Sequence, residues 1–269
     1  METITAYEDL ARLVTGHFHR GVRTNTMVSP EEYGPAIAAG TLRAQATPAG
    51  LLLLRDRGDH TRLTFYLGDL TVPLGAELPR PTVTEVAFRP RDTGLRETVS
   101  YLTAQGFVPV LERLRLSRPA GETGEPGEPA LPLSTPAPEA LSSVQAFLQS
   151  NFSPLTGCLP NREELDRDLR QGRVLTLEEG GAITGLLHFS LVGNTGEIRH
   201  LAVRSDLRGT GRTRPLLDGY LRAIGGVKSV VWTRSDDLAA QTAYQRRGFV
   251  PDGRRSVVLC YPEKEGMKP

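Results

Sequence analysis

The densest cluster of chemically suggestive residues is Arg204-Ser205-Asp206-Leu207-Arg208-Gly209-Thr210-Gly211-Arg212-Thr213, which follows the strand-like run Glu197–Val203 and precedes the apolar-periodic Leu216, Leu217, Tyr220 and Leu221. Strand, glycine loop and helix in that order favour anion binding. The first N–H groups of a helix lack intrahelical partners, the helix dipole puts partial positive charge there, and glycine lets the backbone approach phosphate oxygens. A pyrophosphate is the natural ligand of such a loop. Pro215 is tolerated just beyond it, because a first helical turn loses no hydrogen bond to proline. Strand alternation predicts Arg199 on the same face as Glu197 and His200 on the other, which leaves His200 as an alternative base and Arg199 as a partner for Glu197 or for an acidic substrate group. Arg234 and Asp236, near a strand end, are candidates to line an acceptor site. His17-Phe18-His19 has the spacing of a two-ligand metal pair on an extended segment, but no third ligand accompanies it and no metal is expected. Cys158 and Cys260 stand far apart without a Cys-x-x-Cys or Cys/His cluster, so the expectation is two reduced thiols.

A second block follows downstream: Asp237-Leu238-Ala239-Ala240-Gln241-Thr242-Ala243-Tyr244-Gln245-Arg246-Arg247-Gly248-Phe249. The two blocks together resemble the GNAT superfamily of N-acetyltransferases. Arg208, Gly211 and Thr213 occupy its Arg/Gln-x-x-Gly-x-Gly/Ala positions, with Thr213 departing from the small residue usual there. Ala240, Tyr244, Gly248 and Phe249 match its Asn-x-x-Ala-x-x-x-Tyr-x-x-x-Gly-Phe segment, with Asp237 in place of Asn. The resemblance is specific from Ile183 to Tyr261 and architectural before that.

The resemblance implies acetyl-CoA, or another acyl-CoA, as co-substrate and no metal. Its pyrophosphate would lie on Arg208, Gly209, Thr210, Gly211, Arg212 and Thr213, its pantetheine arm along the backbone at Ala202 and Val203, with Asp237 and Ala240 completing the cofactor side. Tyr244 falls at the position of the family's general acid, suited to protonating a departing thiolate because a phenol stays protonated at neutral pH. Glu197, six residues before Val203, falls at the catalytic glutamate that takes a proton from the incoming amine. The implied acceptor is a primary amine of a small molecule or peptide. A non-catalytic acyl-CoA-binding or scaffolding protein of the same fold is the alternative, motivated by Thr213 and by a first half that lacks the cofactor motif. An aminoacyl-tRNA-dependent transferase is disfavoured by the retained cofactor motif and the lack of a basic stripe.

The elements that must position these residues read as a mixed α/β (α+β) arrangement. Helical patterns open at Pro138-Glu139 and at Asn161, whose Glu164 three residues on makes a capping-box start, and strands follow at Arg173–Glu178, Ile183–Val192 and Glu197–Val203 with turns at Gly180-Gly181 and Gly193-Asn194. A helix from about Arg214 to Ile224 comes next. An internal repeat then links the two halves. Gln105-Gly106-Phe107-Val108-Pro109 matches Arg247-Gly248-Phe249-Val250-Pro251, and each sits between a helix-like stretch (Leu95–Gln105; Leu238–Arg247) and a strand (Leu111–Leu116; Ser256–Tyr261).

The expected organisation is thus two GNAT-like domains, each with a mostly antiparallel sheet flanked by helices, the second sheet splayed at the cofactor cleft. Residues 1–117 form a degenerate domain without the cradle or the acid, since Leu102 stands where Tyr244 does and Val72–Pro79 is too short and proline-bounded for a cofactor helix. Residues 118–138, rich in Pro, Gly and Glu, are the linker, and 139–269 the catalytic domain. A chain of 269 residues accommodates two such cores. A net charge of +1 gives no general attraction to nucleic acid or to a membrane surface. No apolar run approaches the ~20 residues of a membrane span. Glu2, Glu8 and Asp9 make the N-terminus unlike a secretory signal, so a cytoplasmic location is expected, with the oligomeric state left open.

Overall fold

The computed structural model describes residues 1–26, 30–89, 91–121 and 131–262. The first elements are β1 (Glu2–Thr3), α1 (Tyr7–His17), β2 (Arg23–Thr24), α2 (Pro30–Ala38), β3 (Leu42–Thr47), β4 (Gly50–Asp56), β5 (Thr61–Leu67), β6 (Thr82–Phe88), α3 (Thr93–Ala104) and β7 (Val108–Arg118). They are followed by α4 (Leu141–Asn151), α5 (Arg162–Arg170), β8 (Val174–Glu179), β9 (Ala182–Val192), β10 (Thr195–Val203), α6 (Thr213–Ala223), β11 (Lys228–Arg234), α7 (Leu238–Gln245) and β12 (Val250–Tyr261). The class is mixed α/β, with mostly antiparallel sheet flanked by helices, as the sequence predicts.

Two compact units divide the chain: Met1–Glu112 with Arg254–Pro269, and Arg113–Gly253. In the first, the strand order is β1-β3-β4-β5-β6-β12, and only the β5–β6 step is parallel. In the second it is β7-β11-β10-β9-β8, and only the β10–β11 step is parallel. Each sheet therefore takes a strand from the other side of the linker. Residues 113–118 of β7 pair with β11, with Leu116 fully buried in the second unit's core. Residues 255–261 of β12 pair with β6, and Val257 and Leu259 lie in the first unit's core. Of the linker, 122–130 lie outside the described residues. Its final part runs over the second unit, where Leu131 and Leu133 pack on the core and Ser134 and Thr176 exchange backbone hydrogen bonds of 2.9 Å.

Local sequence accounts for the elements around the site. Asn161 caps α5 and Glu164 returns the bond to the Asn161 N–H, both at 2.8 Å, as the capping-box spacing predicts. The amphipathic α6 buries Leu216, Leu217, Tyr220 and Leu221 with Leu187, Phe189, Ile198, Tyr244 and Phe249 in one cluster. On the opposite face of β9 and β10, Leu186 and Ala202 pack with α4 and α5. Gly196 permits close approach of α6, since a Cβ there would stand 2.7 Å from the Tyr220 hydroxyl.

The parallel ladders of both units break off early. β5 pairs with β6 only at Thr61↔Thr82 and Arg62↔Val83, although both strands continue. The resulting gap is filled from within the unit: β2 pairs with the end of β5, and the Asn25 amide donates to the Leu63 carbonyl (3.2 Å) and Thr84 Oγ1 (3.0 Å) while accepting from the Phe65 N–H (3.1 Å). β10 pairs with β11 from Thr195↔Lys228 to Ile198↔Val231 and then stops, while β10 runs on to Val203 and β11 to Arg234. Among the described residues no strand fills this second gap.

Candidate active site

β10 ends at Val203, a short 3-10 turn over Ser205–Leu207 follows, and the loop enters α6 at Thr213. Gly209 and Gly211 adopt φ of 80° and 84°, where a side chain would be strained, and a Cβ on either would meet no atom within 4 Å. Thr210 N–H bonds to the Leu207 carbonyl and Arg214 N–H to that of Gly211. Among the described residues, the N–H groups of Gly209, Gly211, Arg212 and Thr213 have no hydrogen-bond partner. This is an open ring of donors at a helix N-terminus.

Three arginines border the ring. Arg208 Nε donates to the Val203 carbonyl at 3.4 Å, tying the loop to the strand end. Arg212 pairs with Glu179 at the end of β8, and its Nε is buried without a partner among the described residues. Arg204 is paired with Asp206 at 2.7 Å. Thr213, the departure from the family pattern, forms the first residue of α6 and is half-buried beside the open space over Gly211.

Tyr244 lies in the last turn of α7, 5% exposed and within the α6 core cluster, its ring 5.8 Å from that of Phe249. Its hydroxyl has no hydrogen-bond partner among the described residues. Burial, reinforced by Asp237 and Tyr220, pushes its phenol above the ordinary range. Tyr220 behaves similarly, raised to about 12 by burial although it shares a 2.6 Å hydrogen bond with Ser229. Asp237 is the N-cap of α7, accepting from the Ala240 N–H at 2.9 Å, so its carboxylate and Ala240 set where that helix begins.

Glu197 sits opposite Ser190 and Val230, where β10 is still paired on both sides. It faces away from α6, because its neighbours Gly196 and Ile198 face that helix. The expectation that His200 lies on the other face from Glu197 is corrected: the register shifts between Ile198 and His200, a bulge that absorbs Arg199 and returns His200 to the Glu197 side. There His200 and His188, 2% and 3% exposed, meet Asp168 of α5 in a buried polar chain. Sequence reasoning missed Asp168 and His188; they come together only through the hairpin register and the bulge. His17 closes α1 with its Nδ1 2.8 Å from the Leu13 carbonyl oxygen, rather than lying on an extended segment. Arg234, the last residue of β11, pairs with Asp236 at 2.8 Å.

Residues 150–258 match the family model of the acetyltransferase (GNAT) domain. This segment is a GNAT domain. No curated protein matches the chain in sequence. Solved structures similar to it include a GNAT-family acetyltransferase from Colwellia psychrerythraea (14% identity, TM-score 0.56, covering 96% of this chain and 98% of that one). A GCN5-related N-acetyltransferase from Sphaerobacter thermophilus is similar to the same extent (13%, TM-score 0.57, 94% and 99%). A GCN5-related N-acetyltransferase from Kribbella flavida has 14% identity and a TM-score of 0.52 over 88% and 97%. At such identities the likeness is one of fold, and it extends over nearly the whole chain.

Within the GNAT domain, the structure joins Val203 to the Arg208–Thr213 loop and Asp237 to Ala240, and holds Tyr244 on the α6 side. Glu197 belongs to the opposite side. No described helix is long and apolar enough to cross a membrane.

Proposed function

We propose that the GNAT domain transfers an acetyl group from acetyl-CoA to the primary amine of a small molecule or peptide by direct attack in a ternary complex. The observation that carries this reading is the cradle: the unpartnered N–H groups of Gly209, Gly211, Arg212 and Thr213 around open space. That arrangement fits a pyrophosphate, with Arg208 and Arg212 adding positive charge, while the Thr210 hydroxyl donates to the Leu207 carbonyl at 2.6 Å and braces the loop. The edge of β10 beyond Ile198, at Ala202 and Val203, suits the amides of a pantetheine arm laid along it like an added strand.

Glu197 accepts the proton of the incoming ammonium, directly or through water, and the free amine attacks the thioester carbonyl. The carbon–sulfur bond breaks, and the Tyr244 hydroxyl, kept protonated by its burial, gives its proton to the departing thiolate. Asp237 and Ala240 act by fixing the start of the helix that carries Tyr244. The Met1–Glu112 unit repeats the same strand plan, but β2 and Asn25 fill its gap, and no helix lies between β5 and β6. It is a degenerate copy with a supporting role.

Calorimetric titration of acetyl-CoA into the intact protein and into Gly211→Asp tests the cradle. Binding should be saturable in the intact protein and weakened more than about tenfold in the variant, whose carboxylate faces the phosphates, a cost of about 1.4 kcal/mol or more. An intact protein that does not bind acetyl-CoA would sink the reading, and binding without turnover on any amine would favour the scaffold alternative.

A further inference from the structure

On the face of the GNAT domain that α4 and α5 cover, one line of hydrogen bonds runs from a helix through two strands to a loop. Asp168 Oδ2 lies 2.9 Å from His188 Nε2, His188 Nδ1 lies 3.1 Å from His200 Nδ1, and His200 Nε2 lies 2.8 Å from the Gly157 carbonyl oxygen. The imidazoles stack within 2° of parallel, and Phe152 covers His200 edge-on at 4.9 Å. Gly157 belongs to the α4–α5 connection, which is tightly drawn: its N–H bonds back to Ser153 at 2.7 Å, Arg113 donates to the Thr156 carbonyl, and Cys158 takes a φ of 50°.

Proton counting gives this chain a definite state. A carbonyl only accepts, so His200 must carry its proton on Nε2. Burial and the neighbouring His188 lower the His200 pKa to about 3, so it holds no second proton and its Nδ1 is bare. The Nδ1 of His188 must then be the donor between the rings. A third proton is needed for the contact with Asp168, whose other oxygen lies 3.6 Å from Arg173. That third proton lies between His188 Nε2 and Asp168 Oδ2, and either atom can carry it without changing the two bonds that fix His200. Arg199 and Arg113 add positive potential at His200, while Glu197 shares its face of β10.

We propose that His200, locked in its Nε2–H form by His188 and Asp168, is a positioning residue that latches the α4–α5 loop through Gly157 on the face where Glu197 lies. The loop then forms a fixed wall beside the position proposed for the amine. The latch stands on its own geometry; only its purpose rests on the acyl-transfer reading.

Two measurements on the full chain test it. In protein labelled with nitrogen-15 histidine, slowly exchanging ring protons should appear at His188 Nδ1 and His200 Nε2, assigned with His188→Gln and His200→Gln. A bare His200 Nε2 or a bare His188 Nδ1 would overturn the proposal. The rate of Cys158 alkylation by iodoacetamide, in a Cys260→Ser background, reports the loop. His200→Phe should raise it about tenfold, the loss of one hydrogen bond. His200→Gln, whose amide can still donate to Gly157, should restore slow labelling. Asp168→Ala, which touches neither Gly157 nor Cys158, leaves His188 Nε2 without its partner and should speed it; if His200→Phe does not fold, this variant decides. Unchanged labelling in these variants overturns the latch. Acetyl-CoA titration of the same proteins separates the two ideas: failure of the intact protein to bind sinks acyl transfer, whereas the ring protons and labelling rates still judge the latch.

Discussion

The Tyr244 ring packs in the apolar α6 cluster, 5% exposed, and its hydroxyl makes no hydrogen bond among the described residues. Removing a hydroxyl that bonds to no protein group leaves no partner stranded. Tyr244→Phe should therefore leave the melting temperature unchanged or slightly higher while lowering kcat about a hundredfold on whatever amine the enzyme accepts, with acetyl-CoA affinity retained. A fall in stability with unchanged turnover would make Tyr244 a core residue only. His200 carries a pH signature of its own. Its pKa is depressed by burial and His188 to about 3, against ~6.5 in an unfolded chain, so the unfolded state takes up a proton first as pH falls. The stability His200 contributes is present above about pH 6.5 and is lost as pH falls through the folded value. Melting temperatures measured from pH 7 to pH 3 should decline less steeply in His200→Phe than in the parent protein.

At the scale of elements, β10 decides what the site contains. Its first half is a regular inner strand; its bulge at Arg199 turns His200 over, and its last residues are released from β11. Simple features of this region were legible in the sequence because they depend on neighbours in the chain: the Gly209–Gly211 loop, the Asn161 capping box, the turn at Gly193-Asn194. The Asp168–His188–His200 chain was not, because alternation without a bulge puts His200 on the wrong face, and only three-dimensional register brings His188 opposite it. Gly196 also hides its role in sequence, where nothing marks the residue between the Gly193-Asn194 turn and the strand as a packing position. In the structure it makes room for the Tyr220 hydroxyl, which bonds to Ser229 at 2.6 Å. Gly196→Ala should displace that hydroxyl and cost about 1–3 kcal/mol for the stranded polar groups, seen as a lower denaturation midpoint. A midpoint equal to the parent's would show that α6 moves aside freely.

At the scale of the whole molecule, the proline-rich segment marks where the composition changes but not where the two units divide. Composition registers which residues lack apolar side chains; it carries no information about strand partners. The second unit's sheet needs residues 113–118 of β7, which lie before the segment, and the first unit's sheet needs 255–261 of β12, which lie at the far end of the chain. A fragment starting at residue 133 would keep the cradle, Tyr244 and Glu197 yet lose Leu116 from the core and leave β11 with an uncovered edge. Unpaired edges of this kind invite association. Such a fragment should therefore be aggregated or show no cooperative melting, whereas co-expressing it with residues 1–118 should recover soluble protein, because both exchanged strands are then present. Circular dichroism melts of the fragment, alone and co-purified, decide the matter. A soluble, cooperative, acetyl-CoA-binding fragment would mean that β7 is dispensable and that the GNAT domain folds without the strand it takes from the first half.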